Sequence, residues 1–433
     1  GPKNPWGDDF SKIKFNVNQI GNGVMNIRID AENRYDPASI LALPRETIPL
    51  SESLQVNTVS SDPFSFSVQR SNGDVLFDTS IGGFIFSDKF IQIAALLPSE
   101  NMYGWGENIH QSLKHDFSRY TSWAMLSRGD PPNSARLTPQ NLYGVHPFYL
   151  LVEPSGKSHG VFILNTNAQD MTTLPAPGIV YRTIGGLLDM YFFPGPSPAE
   201  VIAQYHAFIG RPFMPAYWSL GYQLSRWGYK SLEDMKGRVK AVMDLSIPLD
   251  VAYADIDYMD KYKDFSIGKE LWTGIGDYVD QLHDWGMKSI LIFDPAIEAD
   301  YDAFQRARDG NISFIEWDQY DHVQREIQDL YPMANDSKIM LGLVWPNNHV
   351  GFPDFLDTRN NTAQWWLEEF QSFHKKVNFD GAWIDMNEPQ AFKTKQIENR
   401  TVSVGRYSLS CPKSGPEAEW DVPPYGTQAV FHY

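Results

Sequence analysis

The chain has 433 residues, a formal net charge of −17 and an aromatic content of 14%. This length leaves room for two or three domains with sizeable hydrophobic cores. The acidic balance, without any Lys/Arg run, excludes a nucleic-acid partner, and no apolar stretch approaches the roughly 20 residues that span a bilayer.

Residues 1–211 show the pattern of an antiparallel β-sandwich. Apolar and polar residues alternate over 64–68, a polar turn follows at 71–74, and a second apolar run covers 75–77. Together these features predict a β-hairpin. Further short strands are predicted at 91–97, 148–152, 161–164 and 190–193, each bounded by Gly, Pro or Ser. Short strands separated by turns are typical of a sandwich.

From residue 212 to residue 433 the pattern changes to strands that alternate with amphipathic helices, which is typical of a parallel sheet or a (β/α) barrel. The predicted strands are 219–224, 250–255, 289–293 and 381–385, and the predicted helices are 232–243, 270–285 and 363–375. Four strands correspond to the first half of a (β/α)8 barrel. The segment from about 298 to 347 is too long for a plain loop, so we expect an inserted subdomain there.

Carboxylates follow three of these predicted strands: Asp255 and Asp257, then Asp294, then Asp385. The reactive residues of a barrel lie where its strands end. Carboxylates beside aromatic residues suit glycoside hydrolysis, because its oxocarbenium-like transition state needs a nearby anion. A helix cap is the alternative interpretation for any one of them, but three strand ends in succession favour a catalytic site.

Asp385 stands at the predicted strand end and is therefore the better nucleophile, whereas Glu388 lies three residues later, where the chain turns away. Metal ligation is a weaker alternative. The chain has no His-x-x-His, and its one Glu-x-x-His, from Glu107 to His110, lies in the β region. We therefore expect neither a metal ion nor another cofactor.

Four Asn-x-Ser/Thr sequons occur at Asn311, Asn335, Asn360 and Asn399, in polar or turn-like surroundings that suit surface loops. Together they favour a chain that passes through the secretory pathway to an extracellular or lysosomal location. The single cysteine, Cys411, cannot pair within the chain, which predicts an intermolecular bond or a free thiol.

Residues 383–389, WIDMNEP, resemble the nucleophile signature of family 31 glycoside hydrolases, a family of α-glucosidases. Other blocks are similar to family blocks in the same order: 141–148 (NLYGVHPF), 159–165 (HGVFILN), 221–224 (GYQL), 226–229 (RWGY), 254–260 (ADIDYMD), 294–297 (DPAI), 344–346 (VWP) and 352–355 (FPDF). The resemblance implies a mutarotase-like β-sandwich, then a (β/α)8 barrel with an insertion after its third strand. It also implies retaining hydrolysis of terminal α-linked glucose from malto-oligosaccharides.

The resemblance implies roles for individual residues. Asp385 would attack the anomeric carbon and Asp255 would hold sugar hydroxyl groups. The residues implied to line the glucose subsite are Trp227, Ile256, Ile297, Trp345, Trp383 and Met386. Asp130 is implied to reach the subsite from the sandwich, although Arg128-Gly129-Asp130 has a Gly that the family's Arg-Asp pair lacks. Core packing is the alternative interpretation of the Trp residues.

The family places the acid/base carboxyl group on a later barrel strand, and Glu398, Glu417 and Glu419 in the tail of this chain match nothing catalytic. We therefore expect a second chain to supply the acid/base, the remaining strands and C-terminal β domains. The family also has a cysteine that matches Cys411, with a disulfide partner a little downstream, so we expect the partner of Cys411 on that second chain.

Two alternatives stay open. An α-xylosidase is a related enzyme, but those relatives usually carry a different signature around the nucleophile. The alternative from another class is a catalytically inactive secreted glycoprotein that keeps the fold as a binding module. Asp385, Asp255 and the aromatic set argue against this second alternative, since a binding relic need not keep a nucleophile.

Overall fold

The computed structural model describes residues 10–391, apart from 22, 47, 50, 110–111, 128–140 and 318, together with residues 7, 395–396 and 407–408. These residues fall into two compact units, one that extends to Pro212 and one that begins at Phe213. Each unit has its own hydrophobic core.

The first unit is built from antiparallel strands. In chain order they are β1 (Lys14–Ile20), β2 (Val24–Asp30), β3 (Leu54–Ser61), β4 (Phe64–Arg70), β5 (Val75–Asp78), β6 (Ile85–Phe86), β7 (Ile91–Leu96), β8 (Met102–Asn108), β9 (Thr121–Met125), β10 (Asn141–Val152), β11 (Ser158–Ile163), β12 (Gln169–Leu174), β13 (Gly178–Thr183) and β14 (Leu188–Phe193). One sheet has the order β1-β2-β14-β11-β10-β8, and the other has the order β3-β4-β5-β7-β13-β12-β9, with β6 paired to β7. Side chains from both sheets, among them Ile27, Phe66 and Ile93, share one core, which confirms the predicted sandwich.

The predicted hairpin is also confirmed. Strands β4 and β5 pair antiparallel with Val68 opposite Phe77. In the turn, Asn72 Oδ1 accepts the backbone N–H of Asp74 at 3.2 Å, and Gly73 has a φ of 94°, which favours glycine because it has no Cβ.

Helix α1 (Pro198–Ile209) covers the outer face of the first sheet. Its first turn is closed by a capping box, in which Ser197 Oγ accepts the N–H of Glu200 and the Glu200 carboxylate accepts the N–H of Ser197. The buried face of the helix packs Phe208 against aromatic side chains of the sheet such as Phe162.

A network of opposite charges is buried in the sandwich. Arg70 is completely buried and donates to the two carboxylate oxygens of Glu153, from Nε at 2.9 Å and from Nη2 at 2.6 Å. Glu153 also contacts Nδ1 of the buried His159 at 3.0 Å, and Arg70 Nη1 lies 3.4 Å from Glu52. Burial alone would raise the pKa of Glu153, but the hydrogen bonds from Arg70 and His159 outweigh it and lower the pKa to about 2.

The second unit alternates strands and helices. Its elements are β15 (Gln223–Leu224), α2 (Leu232–Asp244), β16 (Val251–Ala254), α3 (Ile275–Asp284), β17 (Lys288–Phe293), β18 (Ile297–Glu298), α4 (Asp302–Asp309), α5 (Arg325–Gln328), β19 (Leu341–Gly342), β20 (Val350–Gly351), α6 (Asn361–His374), β21 (Gly381–Ile384), β22 (Lys395–Gln396) and β23 (Tyr407–Ser408). Strands β15, β16, β17 and β21 form a parallel sheet in that order. This alternation confirms the predicted start of a (β/α) barrel.

The segment between β17 and α6 contains helices α4 and α5 and a small antiparallel sheet, with β20 between β18 and β19. Helix α4 packs its buried Phe304 against Phe314, at a ring separation of 4.9 Å. The inserted segment therefore has secondary structure and buried side chains of its own.

Two predicted elements are shorter than expected. Only residues 223 and 224 of the strand predicted over 219–224 pair with β16, because Ser219 closes a tight turn in which its N–H and Oγ donate to Ala216 O. The helix predicted from residue 270 begins at Ile275, since Gly274 is left-handed with a φ of 90°. Helices α2 and α6 match their predicted extents within two residues.

The two edges of the parallel sheet expose apolar side chains. Ile384 of β21 is 62% exposed. Large apolar residues before and after β15 are also exposed, namely Phe213, Met214, Tyr217, Leu220, Tyr222 and Trp227. Within the part of the chain that the structure describes, no helix is both long enough and apolar enough to cross a bilayer.

Candidate active site

The carboxyl ends of the parallel strands lie together at one end of the sheet. Strands β16 and β17 are in register at Ala254 and Leu291, and strands β17 and β21 are in register at Phe293 and Ile384. Each of these three strands is followed directly by an aspartate, and these residues are Asp255, Asp294 and Asp385. The sheet therefore brings three carboxyl groups to the end where barrels carry their reactive residues.

Asp255 starts the short turn that follows β16. Its Oδ1 accepts the backbone N–H of Ile256 at 2.7 Å, and the residue is 8% exposed. Burial, together with the charges of Asp257 and Asp385, raises the pKa of Asp255 to about 6. A carboxyl group with this pKa can donate or accept a hydrogen bond near neutral pH, which suits contacts with sugar hydroxyl groups.

Asp257 fixes a neighbouring loop. Its Oδ2 accepts the backbone N–H of Gly228 at 2.8 Å, and burial raises its pKa. Because Gly228 lies next to Trp227, this hydrogen bond holds the loop after β15 beside the strand ends. Asp257 therefore acts on the shape of the site through the backbone.

Asp294 is more deeply buried than Asp255, with 3% of its surface exposed. Burial, together with the charges of Asp385, Asp255 and Glu388, raises the pKa of Asp294 to about 8. Its backbone N–H donates to Oδ1 of Asp264 at 2.7 Å. Asp264 is itself buried, and burial and the charge of Asp294 raise its pKa well above the ordinary value.

Two carboxyl oxygens in this pair, Oδ2 of Asp264 and Oδ1 of Asp294, are buried without a hydrogen-bond partner among the described residues. Our sequence reasoning missed Asp264, because this residue lies in a loop and not at a strand end. No periodicity or spacing in the sequence marks it.

Asp385 is half-buried at the end of β21, and its backbone N–H donates to Phe293 O at 3.4 Å. The next residue, Met386, has a φ of 60° and is buried. A bulky side chain at positive φ is an uncommon conformation that is found at functional sites. Here it turns the chain sharply after Asp385, while the Met386 side chain packs with Val344 and Phe352.

Aromatic residues flank the carboxyl groups. Trp227, which is 62% exposed, faces Trp345 from the inserted segment at a ring separation of 5.6 Å. Trp383 on β21 packs edge-on against Tyr253 of β16 at 6.0 Å, and the Tyr253 hydroxyl donates to Gln223 Oε1 of β15. These contacts link β15 and β16 with β21, which lies on the far side of β17, and place indole rings beside the strand ends.

The other apolar residues implied to line the subsite are more buried. Ile256 and Ile297 belong to the main core of the second unit and expose almost no surface. Glu388, which follows Asp385 by three residues, has a buried Oε2 without a hydrogen-bond partner among the described residues.

This arrangement combines a half-buried carboxyl group, Asp385, with two buried ones whose pKa values are raised, to about 6 for Asp255 and to about 8 for Asp294, so that Asp294 holds its proton at neutral pH. A carboxylate in such surroundings can attack an anomeric carbon, while protonated neighbours donate hydrogen bonds to hydroxyl groups. Within the described ranges, no three His, Cys, Asp or Glu side chains are arranged to hold a metal ion.

Several residues singled out from the sequence, Asp130, Asn399 and Cys411, lie outside the described residues. The asparagines of the other three sequons, Asn311, Asn335 and Asn360, are all exposed.

Comparison with known proteins identifies both units. Residues 212–409 match the profile of the glycosyl hydrolases family 31 TIM-barrel domain, and residues 19–170 match the glycosyl hydrolase 31 N-terminal galactose mutarotase-like domain. Human intestinal sucrase-isomaltase is 38% identical over 424 residues, which is 91% of this chain and 22% of that protein. Lysosomal alpha-glucosidase of Mus musculus is 37% identical over 84% of this chain and 36% of that protein. The chain thus spans about a fifth to a third of these relatives.

Solved structures show the same fold. The glucosidase II alpha subunit bound to Tris superposes with a TM-score of 0.72 at 20% identity, over 88% of this chain and 48% of that chain. The alpha-1,4-glucan lyase of Gracilariopsis lemaneiformis, solved as a covalent intermediate complex, superposes with a TM-score of 0.71 at 16% identity, over 92% and 49%. A fold shared by a glucosidase and a lyase does not choose the reaction, which has to be argued from the site.

Proposed function

The chain belongs to glycosyl hydrolase family 31, and from that premise we propose that it carries the nucleophile of a retaining exo-α-glucosidase. The proposed substrate is the terminal non-reducing α-linked glucose of malto-oligosaccharides. The observation that supports this proposal best is the position of Asp385, half-buried at the carboxyl end of β21, beside the strand end that carries Asp294 and one strand away from the end that carries Asp255.

The proposed reaction has two steps. An Asp385 oxygen attacks the anomeric carbon, the glycosidic bond breaks, and a proton from an acid/base carboxyl group goes to the leaving oxygen. Water then attacks the glucosyl ester, gives its proton back to the same group, and releases glucose. A retaining site requires that carboxyl group at about 5–5.5 Å from the nucleophile.

The proposed substrate contacts come from the same carboxyl end of the sheet. We assign Asp255 to the sugar hydroxyl groups, since its pKa of about 6 lets it donate or accept. Trp227, Trp345 and Trp383 offer aromatic surface to the C–H faces of the sugar, and Met386, Ile256 and Ile297 are proposed to close the subsite. Asp130 is proposed to contact the sugar from the sandwich.

Further barrel strands are proposed to pack on this unit and to carry the acid/base. The exposed apolar residues at the two sheet edges, such as Ile384 and Leu220, support this, because a barrel interior is a packed core in which every strand has two neighbours. We propose that a second chain carries these strands together with C-terminal β domains.

The same proposal includes the secretory route. Exposed asparagines at Asn311, Asn335 and Asn360 support N-glycosylation, to which we add Asn399. Cys411 is proposed to bond to the second chain. Two relatives are named as intestinal and lysosomal proteins, which fits an extracellular or lysosomal location.

A mechanism-based cyclitol epoxide with the gluco configuration tests the proposal. We expect a covalent adduct on the peptide that contains Asp385, detected by mass spectrometry, and hydrolysis of an aryl α-glucoside faster than that of the aryl α-xyloside. Asp385→Asn is the matched control and should remain unlabelled. A protein that binds malto-oligosaccharides but neither labels nor hydrolyses would instead be the inactive binding module.

A further inference from the structure

The loop that follows β16 is attached to the end of β17 at two points. The buried Tyr258 donates its hydroxyl to Ile292 O at 2.9 Å, and Asp264 Oδ1 accepts the N–H of Asp294 at 2.7 Å. Backbone groups of alternate residues in a strand face the same neighbour, so both contacts lie on the β16 side of β17. Beyond Ala254 the chain leaves the sheet, and the Asp264 side chain takes the place of a paired strand.

We propose that Asp264 is a positioning residue for the glycosidase reaction, a buried carboxyl group that fixes the end of β17, and with it Asp294 and Ile297, relative to the nucleophile Asp385. This inference rests on the proposed function. The other edge of the same strand end holds the nucleophile directly, since Asp385 N–H donates to Phe293 O. Asp264 and Asp385 thus form hydrogen bonds with opposite sides of the segment Phe293–Asp294.

The electrostatic surroundings raise the pKa of this carboxyl group and so favour its uncharged form. The titratable groups around the pair are Asp255, Asp385 and Glu388 toward the reacting end, and Tyr258 and Tyr301 toward the inserted segment. Burial, reinforced by these acidic neighbours, raises the pKa of Asp294, and burial with the charge of Asp294 raises that of Asp264.

An uncharged pair leaves the negative charge of the site on the nucleophile. An ionised Asp294 would repel the Asp385 carboxylate, and burying its charge would carry a desolvation cost. Because the Asp264 oxygen accepts a hydrogen bond from the backbone in either form, an amide oxygen can replace it, whereas a methyl group cannot.

The opposite end of β17 supplies a matched control. There, Asp380 Oδ2 accepts the backbone N–H of Ser289 at 2.9 Å and contacts His283 Nε2, while Asp380 Oδ1 accepts from Lys288 Nζ. Asp380 thus makes the same kind of side-chain-to-strand contact as Asp264, but at the amino end of the sheet, which in a barrel serves stability and not chemistry.

The test compares Asp264→Ala, Asp264→Asn and Asp380→Ala in the complete protein with an aryl α-glucoside. We expect Asp264→Ala to lower kcat by about 10- to 100-fold with KM changed less than about threefold, because small misplacements of reacting groups are costly. Asp264→Asn should restore most of that kcat and extend activity to higher pH than wild type. Asp380→Ala should lower the unfolding midpoint and keep kcat.

Two outcomes overturn the proposal: Asp264→Ala with kcat within twofold of wild type, or Asp264→Asn as inactive as Asp264→Ala while still folded. If the Ala variant does not fold, the pH profile of Asp264→Asn decides. Activity that extends to higher pH than wild type supports the proposal, and an unchanged profile overturns it. If wild-type protein hydrolyses no α-glucoside, the proposed function fails, and hydrogen exchange of the Asp294 amide then decides separately. Faster exchange of this amide in Asp264→Ala, with Asp264→Asn close to wild type, would support the positioning role, and wild-type exchange in Asp264→Ala would refute it.

Discussion

The two units bury ionisable groups in opposite ways. In the sandwich, Arg70, Glu153 and His159 form a cluster in which a positive group meets a negative one, and the hydrogen bonds lower the pKa of Glu153 to about 2. At the carboxyl end of the parallel sheet, Asp264 and Asp294 are like groups. Burial raises both pKa values, helped by the charge of Asp294 for Asp264 and by the charges of Asp385, Asp255 and Glu388 for Asp294. Buried opposite charges compensate each other, which is compatible with a purely structural role. Buried like charges do not, and groups with such shifted pKa values cluster at functional sites.

The hydrogen-bond pattern supports the same distinction. Both oxygens of Glu153 accept from Arg70, while the carboxyl pair at the carboxyl end of the parallel sheet keeps two buried oxygens without a partner among the described residues. An unsatisfied buried polar group is costly. The sandwich cluster also has one, His159 Nε2, but its carboxylate oxygens are both paired, whereas the unsatisfied atoms at this strand end are carboxyl oxygens.

Asp385→Asn should have the largest effect, and it should fall on activity alone. Asparagine is nearly isosteric and Asp385 is only half-buried, so the thermal midpoint should change little. Loss of the nucleophile should lower kcat by about 10³-fold or more. Hydrolysis of an aryl α-glucoside measures this, and residual activity of a few per cent of wild type would contradict the assignment.

Arg70→Ala should have the converse effect, on stability alone. It leaves the Glu153 carboxylate buried without its main partner, which should lower the free energy of unfolding by about 3–5 kcal/mol. Urea denaturation measures this loss, and kcat per folded molecule should stay unchanged. As the control, Arg70→Met combined with Glu153→Leu removes both charges and should lose less stability than Arg70→Ala. Equal losses would mean that packing, not the unpaired charge, causes the effect.

The two regions also differ in how far the sequence predicts them. Period-two alternation and turn residues predicted the hairpin of β4 and β5, and the strand-helix alternation predicted the parallel sheet, because both patterns are local. The first barrel strand was predicted too long, since the turn at Ser219 depends on hydrogen bonds that the apolar pattern does not show.

Contacts between side chains that are far apart in the sequence could not be predicted from it. Arg70 and Glu153 are 83 residues apart, and Asp264 and Asp294 are 30 residues apart. Strand ends marked Asp255, Asp294 and Asp385 as candidates, but nothing local marks a loop aspartate such as Asp264 that reaches a strand end. The roles given to the subsite aromatics came from family resemblance, and they stay predictions.

Asp294→Asn should have an intermediate effect that depends on pH. The folded pKa of Asp294, about 8, lies above the unfolded value of about 4, so the folded state binds the proton more tightly. Wild-type stability should therefore fall as pH rises from about 4 to about 8 and level off above. The amide cannot ionise, so the variant should be more stable than wild type at pH 8 and closer to it at pH 4. Denaturation midpoints at both pH values measure this, and parallel pH dependences would contradict it.

The smallest effect is expected from Asp244→Asn, which tests whether burial is what separates these charges. Lys240 Nζ lies 2.6 Å from Asp244 Oδ1, closer than many buried pairs, yet the two side chains are 71% and 60% exposed. Water screens such a pair, and a lysine four residues before the acid is the less favourable order on a helix. Asp244 is also the last residue of α2, where a negative charge interacts unfavourably with the helix dipole. Removing the charge therefore removes this small unfavourable interaction together with the small favourable one with Lys240. We therefore expect a urea midpoint indistinguishable from wild type at low and at high salt. A loss as large as that of Arg70→Ala would show that proximity of opposite charges, and not their burial, governs stability in this protein.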